Sequence, residues 1–233
     1  GGYDPSGIDL DAWTELEEQL EATIPNYDRV NKLMTFGQDK RWRRNVRNHA
    51  TKGMKVLEVG CGPGSFAEDL VGLDVTCLDP SEAMLKVAKK RVDGAPAAYV
   101  QALAEDIPLE DNSFDMVFCL FSFRDFQDKK KGLEEIYRVL KPGGQLVMCD
   151  AGKANYLHGL TGRIWMSTVV QWMARWVTKT KDHPWKGLAR SYTHYGTNKY
   201  YRNMMKEVGF QDVSGRLLYP FMMSSRFRGR KPQ

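Results

Sequence analysis

Apolar positions recur at helical spacing over the first part of the chain. Leu10, Trp13, Leu16 and Leu20 share a stripe over residues 9–22, with acids between them; Ile24 continues it and Pro25 closes it. A second helical stretch starts near Asn26 and carries Val30, Leu33 and Met34 to Gly37, and a third covers about Lys40 to Ala50. The pattern then changes. Met54–Val59 is a short apolar run ending in glycines, which predicts a buried strand. Phe66–Leu70 falls in a helix. Further strands are predicted at Asp74–Leu78, Ala98–Val100, Phe114–Leu120 and Gln145–Asp150. Between them, Ser81 caps a helix carrying Met84, Leu85 and Ala88, and Lys129–Leu140 is a helix stopped by Pro142-Gly143-Gly144.

Strands alternating with helices predict an α/β fold with a doubly wound, mostly parallel sheet and right-handed crossovers. The alternation breaks after Asp150. Residues 153–190 are rich in Trp and Met. A helix over Asn198–Val208 follows, then Gly209, then strand-like runs at Val213–Leu218 and Phe221–Arg228. These last two predict an antiparallel hairpin and bring the sheet to seven strands. The expected organisation is an N-terminal helical cover (1–50), a core (51–152 and 196–233) and a helical insertion (153–195).

The chain has 233 residues, enough for one large α/β domain with an elaboration and for a core that needs no disulfides. Cys61, Cys77, Cys119 and Cys149 form no CxxC pair and no zinc spacing, and three sit in strand-like runs. They predict a reducing compartment and no metal. The acidic, polar N-terminus does not read as a signal peptide, and no run approaches the ~20 apolar residues of a membrane span. A cytoplasmic location is expected. The net charge of +5 is uneven: Asp9–Glu21 is acidic, whereas 153–190 and Arg226–Lys231 are basic. Such an excess fits nucleic acid, an anionic membrane, an anionic substrate or simply a solvated face. At this charge the solvated face comes first.

The candidate chemistry begins where the first core strand ends, at Glu58-Val59-Gly60-Cys61-Gly62-Pro63-Gly64. Glycines at 60, 62 and 64 allow a sharp turn and close approach of a ligand. The spacing is G-x-G-x-G, not the G-x-G-x-x-G of a dinucleotide loop. Glu58 would repel a pyrophosphate but attract a sulfonium bearing an α-amino group, which favours S-adenosylmethionine. Asp79 ends the second strand, placed either to accept hydrogen bonds from ribose hydroxyls or to cap the helix before Ser81.

The ordered motifs VLEVGCGPG, LDPSEAML, AEDIPLEDNSFDMV and YRVLKPGG, spanning about 55–150, resemble a class I S-adenosylmethionine-dependent methyltransferase with a Rossmann-like core. The resemblance implies that Gly60, Cys61 and Gly62 meet the methionine part and Asp79 the ribose. Pro80 and Met84 would lie near the adenine, Ala104, Glu105 and Asp106 would flank it, and Leu120 and Phe121 would lie under the cofactor. Relatives often carry an acid where this chain has Leu103, so the adenine amino group needs another partner: Glu105, Asp106 or a backbone carbonyl.

The segments Asn26–Gly37, Lys40–Arg43, Phe121–Phe126 and Met204–Phe210 resemble the ubiquinone/menaquinone biosynthesis C-methyltransferases. Ser122 and Asp125 replace a usual glycine and asparagine, and 151–200 departs from the pattern. The resemblance implies transfer to an aromatic carbon of a polyprenyl quinol, with Tyr27 folded over the cofactor. The alternatives are another lipid or small molecule, such as a phospholipid head group methylated on nitrogen, or a non-catalytic cofactor-binding partner. Arg124 is placed to stabilise a phenolate, or to pair with Asp125 or Asp128. Asp150, His158, Tyr192 and His194 are candidate bases, and Arg124, Asp125, Tyr192 and His194 are the expected catalytic set. The segment Ile164–Val177, with Arg163, Arg175 and Lys179 interleaved, reads as a lid lining a tunnel for a prenyl tail, as a surface touching a membrane, or as an ordinary amphipathic helix. No nucleic-acid partner is expected: Phe121-Ser122-Phe123-Arg124 stands where base amino-methyltransferases carry Asn-Pro-Pro-Tyr or Asp-Pro-Pro-Tyr.

Overall fold

A computed structural model describes residues 3–92, 97–181, 183, 185–218 and 223–233. The chain opens with a small antiparallel ribbon, β1 (Tyr3–Asp4) and β2 (Gly7–Ile8). Helix α1 (Leu10–Thr23) starts where the Asp9 carboxylate accepts the Ala12 N–H at 3.0 Å. Then come α2 (Tyr27–Met34) and α3 (Asp39–Arg47).

The core alternates as expected: β3 (Lys55–Val59), β4 (Asp74–Asp79), α4 (Glu82–Arg91), β5 (Ala97–Gln101), β6 (Phe114–Leu120), α5 (Lys129–Val139) and β7 (Leu140–Ala151). Next are α6 (Tyr156–Ser167), α7 (Val169–Thr178) and α8 (Lys186–His194), then α9 (Asn198–Val208), β8 (Gln211–Leu217) and β9 (Ser224–Arg230). The strand order of the main sheet is β5-β4-β3-β6-β7-β9-β8. The first five are mutually parallel, whereas β9 runs antiparallel to β7 and to β8. This is the seven-stranded sheet with a C-terminal hairpin that the pattern predicts.

The central strands read as continuous apolar runs because both their faces are buried. Val56 packs in the cluster containing Trp42 and Val46 of α3 and Leu85 of α4, whereas Leu57 packs in the one containing Leu133 of α5 and Met205 of α9. The strand order reverses between β3 and β6. In open parallel sheets that is the point where a crevice opens beyond the strand ends.

Several details differ from the pattern, four of them with a visible cause or consequence. Residues 67–70 form a single 3-10 turn, with Phe66 as its cap, because four residues between two turns leave no length for an α-helix. Helix α3 ends at Arg47, whose guanidinium donates to the carbonyl oxygens of Asp69 and Ala50 and ties the helix end to the turn beside it. Strand β7 begins at Leu140, because Leu140 already pairs with Phe114 across an irregularity in the ladder. Strand β9 runs on to Arg230, and the first two residues of its predicted run, 221 and 222, lie outside the described residues.

The β1–β2 ribbon is tied to the loop before α5. The Ile8 N–H donates to the Gln127 carbonyl at 2.9 Å, and the Lys129 N–H to the Ser6 carbonyl at 2.8 Å. The Tyr201 hydroxyl donates to the Pro5 carbonyl at 2.9 Å while accepting the Gly196 N–H at 2.8 Å. Among the described residues, no helix is long and apolar enough to cross a membrane, and no group of three or more His, Cys, Asp or Glu could hold a metal ion.

Candidate functional site

Two adjoining cavities open at the reversal point. The larger, about 1490 Å³ counted out to its mouth, is lined by Glu58, Cys61, Trp42, Arg124, Trp165, Met166 and Trp185 among others. The second, about 790 Å³, is lined by Gly62, Asp79, Pro80, Met84, Leu103, Ala104, Glu105 and Glu17 among others. Leu16, Leu20, Tyr27, Gly60, Leu120, Phe121 and Asp125 line both.

The glycine loop shapes the floor. The N–H groups of Gly60 and Cys61 both donate to the Leu78 carbonyl, at 2.7 and 3.0 Å, which folds the loop over the end of β4. Gly60 has φ +70°, and a Cβ there would lie 2.3 Å from the Ser122 hydroxyl oxygen. That hydroxyl is held in place by donating to the Val59 carbonyl at 3.0 Å. Position 60 therefore admits no side chain, for steric and conformational reasons together.

Glu58 is 2% exposed, and its Oε2 has no hydrogen-bond partner in the protein. Burial, with Cys77 and Asp79 nearby, pushes its carboxyl well above the usual range. A cation beside it would supply the missing partner and favour the ionised form. Asp79 stands at the end of β4. Its Oδ2 accepts the Gly62 N–H at 2.8 Å and its Oδ1 the Ser81 N–H at 3.0 Å. Burial raises it to about 6 despite those bonds. Asp79 does not cap α4: the Ser81 hydroxyl accepts the Met84 N–H at 3.1 Å and does so. The Asp79 carboxylate instead joins the glycine loop to β4 at the edge of the second cavity. A buried carboxylate oxygen without a partner, a cradle that a Cβ would fill and an acid at the second strand end together fit S-adenosylmethionine.

Beyond β6 the backbone turns through Phe121, a non-glycine residue at φ +57°. The next residues form an ionic array. Arg124 lies 3.5 Å from Asp125 and 3.7 Å from Asp150, and its own N–H donates to Asp150 at 3.1 Å. Burial lowers the Arg124 guanidinium, but the two carboxylates outweigh it and hold it above its ordinary range. Asp125 is raised to about 6, by burial that the Arg124 charge only partly offsets. Asp128 takes no part; it caps α5 by accepting the Lys131 N–H at 2.9 Å. Tyr27 lines both cavities, its phenol pushed up to about 12 by burial.

Several expected residues stand outside both cavities. Asp106 is exposed, because the turn after Ala104 points its side chain to solvent. Tyr192 is 1% exposed, packed so tightly beneath α6 that a Cβ on Gly162 would meet its hydroxyl at 2.1 Å. Its hydroxyl donates to the Gly152 carbonyl at 3.3 Å, and burial raises it to about 12. His194 is exposed at the end of α8, with Nδ1 2.9 Å from the Arg190 carbonyl oxygen. His158 lies in the first turn of α6, its Nδ1 accepting the Ala154 N–H at 3.3 Å. Asp150 is fully buried and reaches the site only through Arg124. Glu105 lines the second cavity while accepting the Asp128 N–H at 3.0 Å.

Among the lining residues of the second cavity not named from the sequence, one is an acid. Glu17, on α1, faces the second cavity together with Leu103. Burial and Glu21 raise its carboxyl. Helix α1 is held there by the Ser81 hydroxyl, which donates to Glu21 at 2.5 Å. The alternation of acids with apolar residues along α1 was the available signal, but it reads equally as a solvated face.

Comparison with known proteins agrees with this geometry. The model of the "ubiE/COQ5 methyltransferase family" matches residues 14–219. The demethylmenaquinone methyltransferase of Renibacterium salmoninarum is 32% identical over 210 residues, covering 88% of this chain and 87% of that one. The enzyme of that name from Paenarthrobacter aurescens is 31% identical over 214 residues, covering 88% and 81%. Among solved structures, an S-adenosylmethionine-dependent methyltransferase of Aquifex aeolicus superposes with a TM-score of 0.58 at 19% identity, covering 87% of this chain and 97% of that one. Phosphoethanolamine N-methyltransferase 2 of Haemonchus contortus, in complex with S-adenosylmethionine, gives 0.61 at 20% identity, covering 83% and 53%. The two structural likenesses speak for the fold.

Proposed function

Because the chain belongs to the ubiE/COQ5 methyltransferase family, we propose that this S-adenosylmethionine-dependent methyltransferase acts on an aromatic carbon of a polyprenyl quinol of the demethylmenaquinol type. The observation that carries the reading is the array of Arg124, Asp125 and Asp150 at the junction of the two cavities. The cofactor supplies an electrophilic methyl group on a sulfonium. The protein's part is to bind, to position and to make a phenol nucleophilic at carbon.

In this reading Glu58, Gly60, Cys61 and Gly62 hold the methionine part, Asp79 the ribose, and Pro80, Met84 and Ala104 the adenine. Glu17 takes the adenine amino group that Leu103 cannot. Leu120, Phe121 and Tyr27 close around the cofactor. Asp125 is the group that accepts the acceptor's hydroxyl proton; raised to about 6, it is ionised at neutral pH yet basic enough to serve. Arg124 stabilises the phenolate, and Asp150 aims Arg124.

The segment 153–195 acts as the acceptor lid. Trp165, Met166 and Trp185 line the larger cavity and would meet the prenyl tail. The opposite side of the lid is apolar and open to solvent: Tyr156, Leu157, Leu160 and Ile164 of α6 and Trp172 and Trp176 of α7 are all exposed. An exposed patch of this kind supports peripheral docking on a lipid surface, where such an acceptor dissolves.

The test is incubation with methyl-labelled S-adenosylmethionine and extracted lipids. Label is expected in the quinone fraction. Label in polar head groups instead would replace the acceptor, and cofactor binding without turnover on any extract would remove the catalytic reading.

A further inference from the structure

The C-terminal hairpin carries chemistry that methyl transfer does not use. Side chains at directly paired positions of neighbouring strands share a face of the sheet. Arg226 pairs with Cys149 of β7 and Arg228 with Val147. Both β7 residues belong to the apolar cluster that contains Trp42 and Val46 of α3, so the two arginines lie on the α3 side. Arg216 of β8, directly opposite Arg226, lies with them. Phe227, between them in sequence, points the other way into the core beneath α9.

Three like charges therefore meet on one face. Among the described residues, none of the three makes an ion pair. Arg230, two residues on from Arg228, is different: it binds Asp212 at 2.7 and 3.0 Å. Arg228 donates through Nη1 to Nε2 of His49 at 3.3 Å, while its Nε is buried with no acceptor. His49 keeps its other ring nitrogen against the carbonyl oxygens of Asn45 and Val46, which leaves Nε2 as the acceptor. Burial, then Arg228 and Arg216, push the Arg226 guanidinium down from its ordinary range.

This arrangement is unfavourable as it stands. Like charges directly opposite on antiparallel strands destabilise the pair, and a desolvated donor without an acceptor adds to the cost. An anion between the guanidinium groups relieves the repulsion, and the planar fork of arginine matches the oxygens of a phosphate. We propose that Arg216, Arg226 and Arg228, the last oriented by His49, form a binding site for a phosphate-class oxyanion on the α3 face of the hairpin. The site lies close to the acceptor cavity. Ser224 lines that cavity, and Arg226 follows two residues later, roughly 7 Å along the strand. A free phosphate and the phosphate of a lipid head group present the same chemistry there.

The test uses the full chain and two probes. Calorimetric titration with inorganic phosphate, against chloride at equal ionic strength, is expected to show saturable binding. Arg226→Gln and the exposed Arg216→Gln should each weaken it about tenfold. Arg230→Gln, which loses only its pair with Asp212, should bind as the parent does. Sedimentation with phosphatidylglycerol vesicles identifies the source: a loss in Arg226→Gln parallel to the loss of phosphate binding marks a lipid head group. Phosphate binding with no such loss marks a soluble anion. Absence of phosphate binding by the parent chain, or equal binding by the parent, Arg226→Gln and Arg216→Gln, overturns the proposal. Neither result touches methyl transfer, which is measured separately.

Discussion

Asp125 faces opposing demands: burial favours its neutral form, and the adjacent Arg124 favours its charge. The balance, at about 6, leaves it ionised at neutral pH, as the base proposed above has to be. The rate with a quinol acceptor is therefore expected to rise with pH through about 6 and then level. Asp125→Asn should lose that acid limb and fall in kcat by on the order of 10²–10⁴. A variant that keeps the limb would show that another group titrates. The sequence makes part of this site readable. The glycine spacing and Glu58 point to a cationic cofactor because steric room and charge are local properties. Arg124 could be read as a free cation or as an ion-paired one, and the structure has it paired with Asp125 and Asp150 while still lining the cavity. Asp150 supports Arg124 from a strand 26 residues away, a relation that only the sheet register creates. Tyr192 and His194 carried the right functional groups, but helical rotation turned one into the core and the other to solvent.

The elements divide the same way. Strands buried on two faces announce themselves as apolar runs, so β3, β4, β6 and the centre of β7 are legible. The β1–β2 ribbon is not, because two residues per strand carry no periodicity and their pairing depends on a loop more than a hundred residues away. Helix α1 is legible as a helix but not as a wall of the second cavity. Helices α6 and α7 together show apolar residues both inward, at Trp165 and Met166, and outward, at Trp172 and Trp176. If the outward side meets lipid, Trp172→Ser combined with Trp176→Ser should reduce sedimentation with uncharged phosphatidylcholine vesicles severalfold. Thermal stability should change little, since both rings are more than 60% exposed. Unchanged sedimentation would dismiss lipid docking through α7.

For the molecule as a whole, the buried acids shape the response to pH. Asp79 and Asp125 have folded values near 6 against an ordinary 3.8, so between these limits the folded chain holds more protons than the unfolded one. Stability without cofactor should accordingly fall as pH rises from about 4 to about 6, and Glu58, also raised well above its ordinary value by burial, adds to the fall. Glu135 acts in the opposite sense: held down by its hydrogen bond with Arg138, it stabilises above its unfolded value and loses that effect only in stronger acid. Denaturant midpoints across this range test the expectation. Asp79→Asn should flatten the slope, and a midpoint that instead climbs from pH 4 to 6 would contradict it.

The Tyr201 hydroxyl touches both covers of the cavity. It donates to Pro5, in the ribbon that leads into α1, and accepts from Gly196, in the link between α8 and α9. One phenol thus has its hydrogen and one of its lone pairs committed to two segments, each joined to a helix that lines the larger cavity. Neither segment can swing away without stranding a polar group that the other also uses, which couples the loosening of one to that of the other. If one ligand enters beneath α1 and another beneath α8, the two openings would then be correlated events, linked through a residue that lines neither cavity.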